Sequence, residues 1–299
     1  MQEYGVIYDA VALTQGEDMK SWFLIIDVER CSNCCNCVLA NKDEYVGNDF
    51  PGYSAPQPPH GVETIRISRV VRGDGHLADV AYLPTLCNHC DDAPCIKQAG
   101  DEAIKKRADG LVIIDPVKAR GRRDLIKACP YGAIEWNAEL QIPQAWTFDA
   151  HLLDQGWKEP RCAQVCPTEA IVALKTETAE VEKLVKEQSL EVLQPELATK
   201  PRVYYKNLHR VTKHFIGGSV LVRKNGVTEC LSGASASLLR SGATVLTTLT
   251  GTFGDFKFDG INDQVGCVEI RVSFPGYKSF ECSIDVTTSV NLGDIVLTG

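Results

Sequence analysis

The chain has 299 residues, a length that suits two domains, and its 44% hydrophobic and 23% charged content is that of an ordinary folded protein. A net charge of −8 argues against a nucleic-acid or polyanion binder, which would carry a basic footprint. No apolar run reaches the ~18–20 residues that span a bilayer.

Residues 1–20, MQEYGVIYDAVALTQGEDMK, lack a basic stretch followed by an apolar core, so no secretory or twin-arginine signal is read. They are expected to form a weakly structured extension, and the chain is expected in the cytoplasm. A cysteine-bearing domain follows over 21–176, in which SWFLIIDV (21–28) and GLVIIDPV (110–117) have the length and apolarity of strands. TETAEVEKLVKEQSLEVL (176–193) reads as an amphipathic helix capped by Thr176, with Val181, Leu184, Val185 and Leu190 on or near one face. QPELATKPRVYYKNLHR (194–210) is a connector in which Pro195 and Pro201 disfavour helix, and it is expected to lie extended on a neighbouring surface. Helix and connector together occupy 177–214. Over 215–299 the runs GSVLVRK, SASLLRS, TVLTTLT, FKFDG, CVEIRVSF, FECSIDVT and DIVLTG alternate with turns such as KNG, the pattern of an all-β sandwich. GTFGDFKF, with GY further on, resembles small transthyretin-like domains. The expected class is α+β, a double ferredoxin-like domain followed by a transthyretin- or Ig-like sandwich.

Ten of the thirteen cysteines precede residue 170, several in C-x2-C pairs. In a reducing compartment that clustering favours metal or iron–sulfur ligation over disulfides. CSNCCNCVLAN (31–41) gives Cys31, Cys34 and Cys37 the spacing of a bacterial ferredoxin run, with Asn41 where the fourth cysteine would stand. IIDVERC (25–31) aligns with IIDPVKA (113–119). At that offset Ala119, Arg122 and Leu125 fall on the three ligand places and Cys129 on the fourth. CPTEAI echoes CPYGAI, giving Cys162 and Cys166 the third and fourth places of another copy. CNHCDDAPC supplies Cys87, Cys90 and Cys95, with Ala99 at its fourth place.

In two-cluster ferredoxins the fourth cysteine of each run ligates the other cluster. Applied here, that rule predicts one [4Fe–4S] site from Cys31, Cys34, Cys37 and Cys166, and a second from Cys87, Cys90, Cys95 and Cys129. Pro130 and Pro167 turn the chain away after each distant ligand. Zinc ribbons also use C-x2-C pairs, but zinc does not explain three-plus-one sets with Cys-Pro partners inside a repeat. Cys35 reads as a spare thiol, and Cys230, Cys267 and Cys282 as small core residues. His89 suits either a hydrogen bond to a cluster or a solvent-facing loop. RGRRD (120–124) reads as a solvated basic run. No nucleophile–base constellation, phosphate loop or flavin fingerprint is present, so no catalytic residue is expected.

CSNCCNC, PGYSA (51–55), PTLCNHCDDAPC, ACPYGAIEWN, AHLLD (150–154) and PELATKPRVYYKNLHR resemble the ferredoxin-like electron-transfer subunits of molybdopterin oxidoreductases. The nearer likeness is to small subunits of the pyrogallol–phloroglucinol transhydroxylase and resorcinol hydroxylase type. The resemblance implies a cytoplasmic heterodimer whose large subunit holds the molybdenum–pterin cofactor and a polyhydroxylated aromatic substrate. This chain would hold the clusters and transfer electrons, away from membranes and nucleic acid. The transhydroxylase pattern has a further cluster, whose four places here are Asn41, Trp146, Asp149 and Cys162. Three of the four are not cysteine, so two clusters are expected rather than three. Two other readings are a structural subunit whose clusters lie off the turnover path, and the iron–sulfur subunit of another molybdopterin reductase.

Overall fold

The structure, a computed structural model, describes residues 20–100, 102–262 and 266–299; apart from Lys20, the expected N-terminal extension lies outside them. The apolar run after it forms the strand Ser21–Asp27, central in a three-stranded sheet. Ile171–Thr176 pairs with it antiparallel and Val203–Lys206 parallel. A strand flanked on both edges and covered on both faces needs an almost unbroken apolar sequence, which explains SWFLII. Three hairpins surround this sheet: Arg66–Arg72 with Asp79–Thr85, Ile104–Lys106 with Val112–Ile114, and Glu135–Asn137 with Ile142–Gln144.

Two sequence expectations are corrected here. GLVIIDPV yields only the three-residue strand Val112–Ile114. The Asp115 carboxylate then accepts the N–H groups of Val117 and Lys118, and this side-chain-capped turn ends the strand. The amphipathic helix runs only from Thr178 to Glu187, with Glu177 at its N-cap. Thr176 is taken by the sheet, where it pairs with Ser21, and Ser189, at φ 52, closes the helix before Leu190.

The connector is extended only in part: Pro195–Leu197 form a 3-10 turn between the left-handed Gln194 and Ala198, His209–Thr212 is a short helix, and Val203–Lys206 is a strand of the sheet around Ser21–Asp27. Beyond it, His214–Lys224 takes Val227–Cys230 and Asp255–Ile261 along one edge and Val290–Leu297 in parallel along the other. Asn225 and Gly226, both at positive φ, make the two-residue hairpin that KNG suggests. A second sheet runs Ala243–Leu249, Ser235–Arg240, Gly266–Ser273, Phe280–Val286, all antiparallel. Val220, Phe256, Phe258 and Ile295 of the sheet around His214–Lys224 share a core with Leu238, Val268, Ile270 and Val272 of the sheet around Ser235–Arg240.

Arg72 joins the two regions. Its guanidinium, buried over the Phe215 ring, bonds to Asp79 and Asp259 and to the carbonyls of His209 and Lys213. Arg210 pairs with Asp79, and Lys257 with Asp259. Burial alone would raise the Asp79 carboxyl, but the bonds from Arg210 and Arg72 hold it well below the usual carboxylate range.

Candidate iron–sulfur centres

Four short loops keep one backbone frame, whether or not they keep cysteines. The residue just before the second ligand place is left-handed in each: Asn33 at φ 57, His89 at 46, Gly121 at 77 and Phe148 at 61. Three residues after a fourth place the same conformation returns, at Glu102, Gly132 and Glu169 (φ 61, 62 and 51). Such angles are costly for residues other than glycine, so their recurrence marks a shared architecture. AWTFDA shares this angle at Phe148 but differs at the next residue, because Asp149 is also left-handed, at φ 52, unlike Cys34, Cys90 and Arg122 at the corresponding places.

Cross-pairing brings the thiols together in fours. Cys31 lies within charge–charge range of Cys166 and Cys34, and Cys37 within range of Cys31, Cys166 and Cys34. Cys87 is likewise coupled to Cys129, Cys95 and Cys90. Burial pushes the Cys31, Cys37, Cys87, Cys90 and Cys95 thiols up, Cys37 to about 12 and Cys95 to about 11, so a cation on the sulfur is needed to hold these five as thiolates. Backbone N–H groups already point at the sulfurs. Asn33 donates to Cys31, Val38 to Cys37, His89 to Cys87 and Ile96 to Cys95, and the Ala133 N–H lies 3.4 Å from Cys129 Sγ. Buried sulfurs in fours, with N–H donors aimed at them, fit [4Fe–4S] groups. Among the described residues no three Cys, His, Asp or Glu side chains converge closely enough to hold a single metal ion. The thirteen cysteines are all free.

The two sets differ in cover. Cys34 is exposed, as are Ser32, Asn33 and Asn36 around it, whereas Cys90, Asn88 and His89 are buried. The connector makes that difference. Its Lys200 and Thr199 carbonyls accept the N–H groups of Asp91 and Asp92, and Arg202 N–H donates to the Asn88 carbonyl. The Arg202 guanidinium pairs with Asp91 at 2.6 Å, and the Thr199 hydroxyl reaches the Cys90 thiol. Lys106 Nζ donates to the carbonyls of His89, Cys90 and Gly110. Thr199, Arg202 and Lys106 had no motif to mark them, because they reach the loop only through the fold.

His89 is buried, which corrects the solvent-facing reading. Its Nδ1 accepts the Val112 N–H at 2.9 Å, and its ring packs edge-on against Trp146 and Phe148, 5.5 Å from each. Burial, with Lys106 and Arg202 nearby, lowers its pKa to about 3, so the ring is neutral. The RGRRD run is not simply solvated either: Arg122 pairs with Asp124, and Arg123 lies over the Trp136 ring.

At the fourth loop, Asn41, Trp146, Asp149 and Cys162 are all buried. Cys37, Asn41 and Tyr45 follow at four-residue intervals and share one face of the helix Asn36–Tyr45. Cys162 lies in charge range of Asp149 and Cys37. The Tyr45 hydroxyl donates to Asp149 Oδ1 at 2.8 Å, and Arg161 N–H to its Oδ2 at 2.7 Å. Burial still pushes the Asp149 carboxyl up against these two donors. Trp146 and Phe148 pack at 4.7 Å between ring centroids. Tyr45 and Phe148 were missed by the sequence reading, although the four-residue spacing from Cys37 would have found Tyr45. Asn41 Nδ2 donates to Thr64 Oγ1, while Asn41 Oδ1, Trp146 Nε1 and His89 Nε2 have no hydrogen-bond partner among the described residues. The site's volume is filled more completely than its polarity is satisfied.

Paired ligand loops related by a chain repeat define an iron–sulfur chain of the dicluster ferredoxin class. A family described as the 4Fe-4S dicluster domain matches residues 78–175. The pyrogallol hydroxytransferase small subunit of Pelobacter acidigallici is 40% identical over 282 residues, covering 93% of this chain and 100% of that one. A putative dimethyl sulfoxide reductase iron–sulfur subunit of Halobacterium salinarum is 32% identical over 63% of this chain and 80% of its own. A tetrathionate reductase subunit of Salmonella typhimurium is 29% identical over 65% and 75%. The chain belongs to the iron–sulfur subunits of molybdopterin oxidoreductases, in the family of the pyrogallol hydroxytransferase small subunit. No helix among the described residues is long and apolar enough to cross a membrane.

Proposed function

We propose that this chain is the electron-transfer small subunit of a molybdopterin-dependent hydroxylase or transhydroxylase acting on polyhydroxylated aromatic rings of the resorcinol or pyrogallol class. The observation that carries the reading is the likeness to the pyrogallol hydroxytransferase small subunit along that protein's whole length, the β-rich tail included. Cys31, Cys34, Cys37 and Cys166 would hold one [4Fe–4S] cluster, and Cys87, Cys90, Cys95 and Cys129 the other. When bound, such groups accept and release single electrons.

The chain's own contribution is to bury the sulfurs, aim N–H groups at them and fix their spacing. Catalysis, the molybdenum–pterin cofactor and the aromatic substrate belong on this reading to a large partner subunit, this chain being non-catalytic within a heterodimer. The tail over 215–299 is assigned as a transthyretin- or Ig-like sandwich, 21–176 as the cluster domain and 177–214 as the link between them. Free thiols throughout suit a reducing compartment such as the cytoplasm.

The test is co-expression with a molybdopterin large subunit from the same organism, followed by iron, sulfide and zinc analysis of the purified complex. About eight iron and eight sulfide per small subunit, together with turnover of a di- or trihydroxybenzene, are expected. A zinc-loaded, colourless chain would overturn the cluster assignment. Turnover of a sulfur-compound oxide alone would overturn the substrate class.

A further inference from the structure

The substituted fourth loop lies between the two sets of four thiols. On one side Cys162 is in charge range of both Cys37 and Cys166. On the other, Trp146 and Phe148 lean on His89, which stands between Cys87 and Cys90 in the chain. Cys37, Cys162, Trp146 and Phe148 share a single core, with Cys166 and Cys87 both packed against it. Trp22 continues the ring layer, 5.7 Å from Phe148. The space between the sets is thus occupied by close-packed aromatic side chains.

We propose that this aromatic layer stands in place of the middle station of a three-station relay and leaves the two clusters as electronically separate one-electron centres. The inference rests on the two-cluster reading above. Electron tunnelling falls off exponentially with distance, so a central station speeds transfer by splitting one long step into two short ones. Losing an end station shortens a relay, whereas losing the middle one breaks it. The rings do not serve as a substitute station. Clusters of this kind work at potentials at which indole and phenyl rings neither give up nor take an electron. Any exchange is therefore a single step, in which one centre loses an electron, the other gains it, and no ring changes state.

The backbone keeps part of the form of an intact loop. Phe148 retains the left-handed angle of the intact loops, and Cys162 is still in place beside Asp149. Asp149, at φ 52, is the one place whose backbone would have to change for a cysteine there to match Cys34 and Cys90.

The experiment is electron paramagnetic resonance on the dithionite-reduced complex of the two subunits, with iron counted on the same sample. The wild type should show two cluster signals that add without magnetic splitting, at about eight iron per small subunit. A triple variant, Asn41→Cys with Trp146→Cys and Asp149→Cys, reconstituted with iron and sulfide, should rise to about twelve iron and show spectra split by spin coupling. Split signals in the wild type at about eight iron would overturn the separation but spare the two-cluster reading. About twelve iron in the wild type would overturn the two-cluster reading itself. Should the triple variant fail to fold, the wild-type spectrum still decides. Trp146→Phe, which keeps the layer aromatic, should leave that spectrum unsplit.

Discussion

Trp146, proposed above to stand at a vacated ligand place, is among the largest fully buried side chains of the described residues. Its role is volume, and removing it leaves a cavity beside Phe148 and His89 that rigid cysteine loops cannot collapse into. Trp146→Ala should cost about 3–5 kcal/mol, read as a lower denaturation midpoint in urea. A loss below ~1 kcal/mol would mean that the site relaxes and the ring is not structural. The cysteines on either side separate by role. Cys166→Ser should remove about four iron per chain, while Cys162→Ser should leave the iron content unchanged. Residue identity was legible here because cysteine is rare and its spacing is dictated by the cluster. The environment was not: His89 carries no sequence mark that distinguishes a buried ring from an exposed one.

At the scale of elements, the connector carries most of what the sequence concealed. Pro195 opens a 3-10 turn instead of extended chain, because proline suits the first helical position, and nothing in TKPRVYYK says which surface the segment follows. The fold lays it along Ser21–Asp27 and over the CNHCDD loop, so that Thr199, Arg202 and the Lys200 carbonyl become part of the second thiol set's surroundings. Hydrogen bonds to a ligand sulfur favour the reduced, more negative cluster, so removing one lowers the potential. Thr199→Val should therefore shift the second cluster's potential downward, on the order of tens of millivolts, in an optical titration. The first cluster should not move, and equal shifts in both would contradict the assignment of Thr199 to Cys90. Element boundaries were the weaker part of the sequence reading. Thr176 has the chemistry of a cap, yet ladder pairing with Ser21 claims it first. Asp115 ends a strand that apolarity alone would have continued.

For the whole molecule, the decisive contact is the charged junction at Arg72. Asp79 and Asp259 are both held below the ordinary carboxylate range, against burial, by the cations they share. The unfolded chain therefore binds protons more readily than the folded one. The junction's contribution is complete above about pH 4 and is lost as pH falls through the lowered values. Thermal melts between pH 7 and pH 3 should show the wild type losing stability only at the acid end. Asp79→Asn should already be weaker at pH 7, by about 3 kcal/mol, with a flatter acid profile. If the two proteins had parallel profiles, Asp79 would not be the linked group.

The thiol inventory, the repeat that suggests an exchange of fourth ligands, and the change from cysteine loops to alternating strands could all be read from the chain alone. Each follows from local chemistry or from periodicity, which a chain displays without folding. Folding was needed to show that the Trp146 loop shares a left-handed turn with the cysteine loops, that it lies between the two sets, and that the connector seals one of them. Those facts are distances between segments far apart in the chain. They are set by how the sheets, loops and junction pack together, and no short stretch of residues encodes them.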